Sequence, residues 1–120
     1  MFAGTIQHRG KTIVFLDISG CRSVAESIQT GNLAKAIILA QPAKSVRMLT
    51  DVTGAHYDKQ AAEYMKRFSQ DITPYVKASA MVGMSSIRQL IANAMMYVSG
   101  RHIRLFDSLD TAKDWLAQQD

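Results

Sequence analysis

Cysteine is all but missing from this chain. Cys21 stands alone among 120 residues, which excludes an intramolecular disulfide and agrees with a reducing compartment. No second Cys or close His joins it, and His8, His56 and His102 fall in separate segments, so no metal-ligand spacing is present and no cofactor is expected. Long apolar runs are missing as well: the longest, Ala36 to Ala40, falls far short of the roughly 20 residues that cross a bilayer. The opening stretch MFAGTIQHRGK has no basic segment leading into an apolar core. It does not read as a secretory signal, and the cytoplasm is the expected location. Basic clusters are scarce, because the net charge is +4 but Lys66-Arg67 is the only adjacent basic pair. Residues 1–60 carry seven basic and four acidic groups and residues 61–120 carry seven and six, with no aromatic-rich basic tract. Specific nucleic-acid binding is therefore not expected, whereas a weak preference for an anionic partner stays open. GxGxxG, GxxxxGK[ST] and GxSxG are all absent, which removes the short signals for dinucleotides, nucleotides and hydrolase chemistry.

What remains is the makeup of one folded domain spanning 1–120. A chain of this length buries roughly two thirds of its unfolded surface around a single core, and 48% hydrophobic with 20% charged residues is an ordinary globular composition. Phe2 to Gln7 and Lys11 to Ile18 read as a β-hairpin turned by His8-Arg9-Gly10. Ser23 stands three residues before Glu26, a capping-box spacing that starts a helix ending near Pro42, with Gly31-Asn32 as a place where it could bend. Ser45 to Thr50 alternates as a strand. From Tyr57, the residues Ala61, Tyr64, Met65, Phe68 and Ile72 recur at helical spacing until Pro74. Lys77 to Gly83 reads as a strand, and Ser85 or Ser86 opens a helix whose broad apolar stripe runs to Gly100. His102 to Phe106 reads as the last strand, and Ser108 caps a final helix. The order ββαβαβαβα predicts an α/β fold, a mixed and mostly parallel sheet with helices packed on it.

Ligands of open α/β sheets favour the carboxyl ends of the strands. That rim should gather Asp51, Thr53 and Gly54 after one strand, Ser85 and Ser86 after the next, and Asp107 after the last. Asp, Ser, Thr and Gly are also the ordinary residues of turns and caps, so a capping role and a binding role both stay open. Asp51 invites comparison with a phospho-receiver aspartate. That chemistry needs an acidic pair for magnesium and a lysine after the last strand, whereas Asp17 is followed by Ile18 and the last strand ends in Asp107. His56 lies close enough in sequence to Asp51 and Thr53 to act as a base, although a solvated or capping histidine is the simpler reading.

The C-terminal stretch AMVGMSSIRQLIANAMMYVSGRHIRLFDSLDTAKDWLAQQ resembles the SpoIIAA-like branch of the STAS superfamily, the group related to bacterial anti-sigma-factor antagonists. The most specific part is the pattern SGR-x-I-x-LF-D-x-x-x-x-A-x-x-WL. It is met by Ser99, Gly100, Arg101, Ile103, Leu105, Phe106, Asp107, Ala112, Trp115 and Leu116. The resemblance implies a small α/β domain used in protein interaction or regulation, without a catalytic cycle. Phosphorylated antagonists carry Asp-Ser-Ser-Gly after a central strand, and the second hydroxyl accepts a phosphoryl group from a partner kinase. Asp51-Val52-Thr53-Gly54 supplies the aspartate, one hydroxyl and the glycine, with Val52 in place of the first hydroxyl. The resemblance therefore makes Thr53 the candidate phospho-acceptor.

The leading expectation is a regulatory interaction module with an unidentified protein partner, switched at Thr53, where added charge would sit near a helix N-terminus and be opposed by Asp51. The alternative is a small-ligand or lipid-binding domain using the apolar, Met-rich stretch between Ser86 and Val98, whose surplus apolar surface also suits a homodimer. An enzyme built on Asp51, His56 and rim hydroxyls is the least favoured expectation.

Overall fold

A computed structural model describes residues 1–83 and 103–119 of the chain. The first two strands, β1 (Phe2–His8) and β2 (Lys11–Asp17), form an antiparallel hairpin with Phe2 opposite Asp17 and His8 opposite Lys11. Its turn is narrower than the three residues expected. Arg9 and Gly10 alone make it, both at positive φ (51° and 78°), the backbone of the two-residue hairpin whose twist suits the strands.

Helix α1 (Val24–Leu39) starts where the capping box places it, with Ser23 Oγ accepting from the Glu26 amide at 3.3 Å. It runs unbroken through Gly31-Asn32 because those residues meet the second helix, α2 (Lys59–Ile72). A Cβ on Gly31 would stand 2.6 Å from the Tyr64 hydroxyl oxygen, and that hydroxyl donates to Asn32 Oδ1 at 2.8 Å. Burial, and then the charge of Asp71, push the Tyr64 phenol up to about 12, so at neutral pH it keeps the proton it donates. The glycine is therefore a helix-crossing residue, and its low helix propensity is offset by the close approach.

Between these helices lies β3 (Val46–Asp51), and after α2 a 3-10 turn at Thr73–Tyr75, holding Pro74, leads into β4 (Val76–Val82). Strand β5 (Ile103–Phe106) and helix α3 (Leu109–Ala117), capped by Ser108, complete the described chain. The helix expected from Ser85 or Ser86 to Gly100 lies outside the described residues. The sheet order is β1-β2-β3-β4-β5, with β2 to β5 parallel. The mixed, mostly parallel α/β sheet is thus as expected.

Each parallel strand lies one place further in the same direction. Crossovers of one hand put α1 and α2 on one face, where Ala34, Ile38, Phe68 and Ile72 meet Val14, Leu16 and Met48. Helix α3 covers the other face, placing Ala112 and Leu116 over Ile13, Leu49, Ala78 and Ala80. Arg47 holds α3 in place by donating from Nε to the Leu116 carbonyl at 3.2 Å and from Nη2 to that of Gln119 at 2.8 Å. The Leu116 carbonyl also accepts from the Gln119 amide at 3.2 Å, so the arginine reinforces the closing turn of the helix.

Candidate functional site

Four strands reach the carboxyl rim in one row: Asp17 aligns with Asp51, Asp51 with Val82, and Val82 with Phe106. Two of the exits are near copies of each other. Asp17-Ile18-Ser19-Gly20 leaves β2 and Asp51-Val52-Thr53-Gly54 leaves β3. In the first, Asp17 Oδ1 accepts from the Ser19 amide at 2.9 Å and from its hydroxyl at 2.5 Å. In the second, Asp51 Oδ1 accepts from the Thr53 amide at 3.0 Å and from its hydroxyl at 2.7 Å. Each turn closes with the same backbone bond, from the Cys21 amide to the Ile18 carbonyl at 3.2 Å and from Ala55 to Val52 at 3.0 Å. Gly20 and Gly54 supply the positive φ (67° and 65°) that a turn of this form needs at its third place. Ile18 and Val52 point into the core. Every residue type in the Asp-x-Ser/Thr-Gly pattern thus has a physical reason: an acceptor, an apolar anchor, a hydroxyl donor and a left-handed hinge.

The two turns are joined by backbone bonds, from the Gly20 amide to the Thr53 carbonyl at 2.8 Å and from His56 to Cys21 at 3.0 Å. On the other side Thr53 is closed in by Gly83, which follows β4 with φ 92°. A Cβ there would lie 2.2 Å from Thr53 Oγ1 and 2.5 Å from its backbone nitrogen. Asp51 itself is only 8% exposed, while Thr53 and Gly54 are open to solvent. The result is an exposed threonine whose hydroxyl hydrogen is directed at a buried carboxylate, on a backbone fixed from two sides.

Of the expected rim residues, Asp51, Thr53 and Gly54 share this turn. Asp107 is exposed on the same rim, after β5. Ser85 and Ser86 lie outside the described residues, as does the Met-rich stretch nominated for lipid, ligand or homodimer contact. Thr53 is not the N-cap of the helix that follows it: α2 begins at Lys59, and Asp58 fills its cap by accepting from the Ala61 amide at 2.9 Å. Asp58 follows Thr53 and immediately precedes the helix, so it is the better-placed cap. His56 Nε2 stands 3.5 Å from Asp58 Oδ2, whereas the Thr53 hydroxyl is bonded to Asp51. The described bonds therefore do not connect Asp51, His56 and Thr53 as a proton relay. The β2 turn escaped sequence reasoning, although the repeated Asp-x-Ser/Thr-Gly at the ends of two apolar strands was a readable signal.

No cluster of three or more His, Cys, Asp or Glu able to hold a metal occurs among the described residues. Nor is any described helix long and apolar enough to cross a membrane. A hollow of about 20 Å³ between α2 and the sheet, lined by Met48, Met65, Phe68, Ile72, Met81 and Ile103, has room for about one water. Compared with protein-family models, curated proteins and solved structures, the chain matches none.

Proposed function

We propose that the chain is a non-catalytic regulatory interaction module of the STAS type, in its SpoIIAA-like branch. In this reading it acts in the cytoplasm, its carboxyl rim is recognised by a protein partner, and Thr53 is the switch. One observation carries the reading: Thr53, an exposed residue, follows the middle strand of the sheet with its hydroxyl hydrogen bonded to Asp51 Oδ1 at 2.7 Å. In this reading Asp51 orients the hydroxyl for an incoming phosphoryl donor. The twin turn carrying Ser19 supplies a second polar contact beside it on the recognition face.

Phosphorylation would replace the hydroxyl donor with a group of about −1.5 to −2 charge. Asp51 would then face an anion in place of a hydrogen-bond donor. The turn must open or shift, and a partner fitted to the closed turn is released. This is a local electrostatic change with a binding readout.

The test uses wild type, Thr53→Ala and Thr53→Glu, each immobilised in extract of the source cells with and without ATP. A common partner should be retained by wild type without ATP and by Thr53→Ala under both conditions. Recovery should fall at least about tenfold for Thr53→Glu and for wild type with ATP, a change on the order of 1.4 kcal/mol. Equal recovery across all samples would sink the switching claim.

A further inference from the structure

The pairing of β2 with β3 does not stop where the strands do. Beyond the aligned Asp17 and Asp51, the Ile18 amide donates to the Asp51 carbonyl at 3.0 Å, the Gly20 amide to the Thr53 carbonyl at 2.8 Å, and the His56 amide to the Cys21 carbonyl at 3.0 Å. The Ser19 and Thr53 turns are thus zipped together, backbone to backbone. Ile18 and Val52 anchor the zipped stretch in the core at its near end, and Cys21 and Ala55 do so at its far end. Between these anchors stand Ser19, Gly20, Thr53 and Gly54, none of them buried.

Thr53 is held at both of its peptide groups. Its amide donates to Asp51 Oδ1 at 3.0 Å, and its carbonyl accepts from Gly20. The two peptide planes are rigid and meet only at the φ and ψ of Thr53, so a rotation that swings the side chain away from Asp51 also turns the carbonyl. On the β4 side that movement is closed off: Gly83 comes so near that a Cβ on it would stand 2.5 Å from the Thr53 nitrogen and 2.6 Å from its Cα. On the β2 side the restraint is a hydrogen bond from exposed Gly20, which water can replace. An opening at Thr53 is therefore taken up by the Gly20 bond.

We infer that the two turns are one cooperative unit, in which a charge at Thr53 opens the Ser19 turn as well and a closed Ser19 turn holds Thr53 closed. The use of this coupling rests on the reading of Thr53 as a switch, since it makes Ser19 the second half of the surface that the switch controls. Coupling between sites is reciprocal, so a partner that grips the Ser19 turn also opposes the open form of the Thr53 turn. The buried anchors at Cys21 and Ala55 confine the opening to the rim, as a local event distinct from unfolding of the sheet.

Amide hydrogen exchange of the purified full chain, followed by NMR with no kinase or partner present, provides the test. Thr53→Glu should speed exchange of the Ser19 and Gly20 amides at least about tenfold, an ordinary strength for coupled sites. Thr53→Ala, which adds no charge, should leave both at the wild-type rate. Ser19→Glu should act in reverse, on the Thr53 and His56 amides. In both Glu variants the Ala112 amide, bonded to the Ser108 carbonyl at the start of α3, should keep its wild-type rate. Fast exchange confined to the substituted turn in both variants would overturn the inference, as would equal acceleration at Ala112. A Thr53 that stays unmodified in cell extract would refute the switch and leave the coupling standing, whereas turns that open independently would refute the coupling and leave the switch.

Discussion

Gly83 has no side chain, yet the shape of the Thr53 turn depends on it. Its left-handed backbone costs an L-residue roughly 1–2 kcal/mol, and a Cβ would also overlap Thr53 backbone atoms that cannot rotate away. Gly83→Ala should therefore lose about 2–4 kcal/mol of stability in urea unfolding. Gly10→Ala shares the positive φ but meets nothing within 4 Å, and should lose only about 1–2 kcal/mol. Equal losses would mean that the close approach to Thr53 contributes nothing. Asp51, Thr53 and Gly54 were legible in the sequence because acceptor, hydroxyl and glycine follow an apolar strand. The role of Gly83 was not, since it comes from contact between loops some thirty residues apart in sequence, which no local pattern encodes. Thr53 and Asp58 were both plausible caps on residue type, and the structure gives that place to Asp58.

The elements are tied together by a few polar contacts at their ends. Asp114 on α3 accepts from His8 and, at 2.9 Å, from Arg9 Nε at the hairpin turn. The hydrogen bonds from His8 and then Arg9 hold its carboxyl below the usual carboxylate range. A carboxyl depressed in the folded state stabilises above its unfolded pKa of about 3.9, and that contribution is lost as pH falls through the lower folded value. Asp114→Asn should therefore lower Tm slightly at neutral pH, with the difference from wild type shrinking below about pH 4 and in about 1 M salt. A gap that persists unchanged in acid would mean that the carboxylate charge is not its cause. The starts of α1 and α3 could be read from Ser23 and Ser108, whose hydroxyls cap them as serine in that position should. The continuity of α1 through Gly31-Asn32 could not, because Tyr64 on another helix explains the glycine.

The whole molecule owes its arrangement to a sheet whose strands follow one another in sequence order. Alternating strands and helices made a mixed, mostly parallel sheet legible, since short parallel connections need crossovers. Strand order was less legible, because the crossover rule sets handedness but not which strands become neighbours. That order matters for function: β2 to β5 advance in one direction, so they create no reversal of strand order of the kind that opens a ligand crevice in doubly wound sheets. The most direct test is phosphosite mapping by mass spectrometry after incubating the purified chain with source-cell extract and ATP. The account predicts a phosphoryl group on Thr53 that is lost in Thr53→Ala. A phosphorylated protein whose modification lies elsewhere, with Thr53 bare, would contradict it.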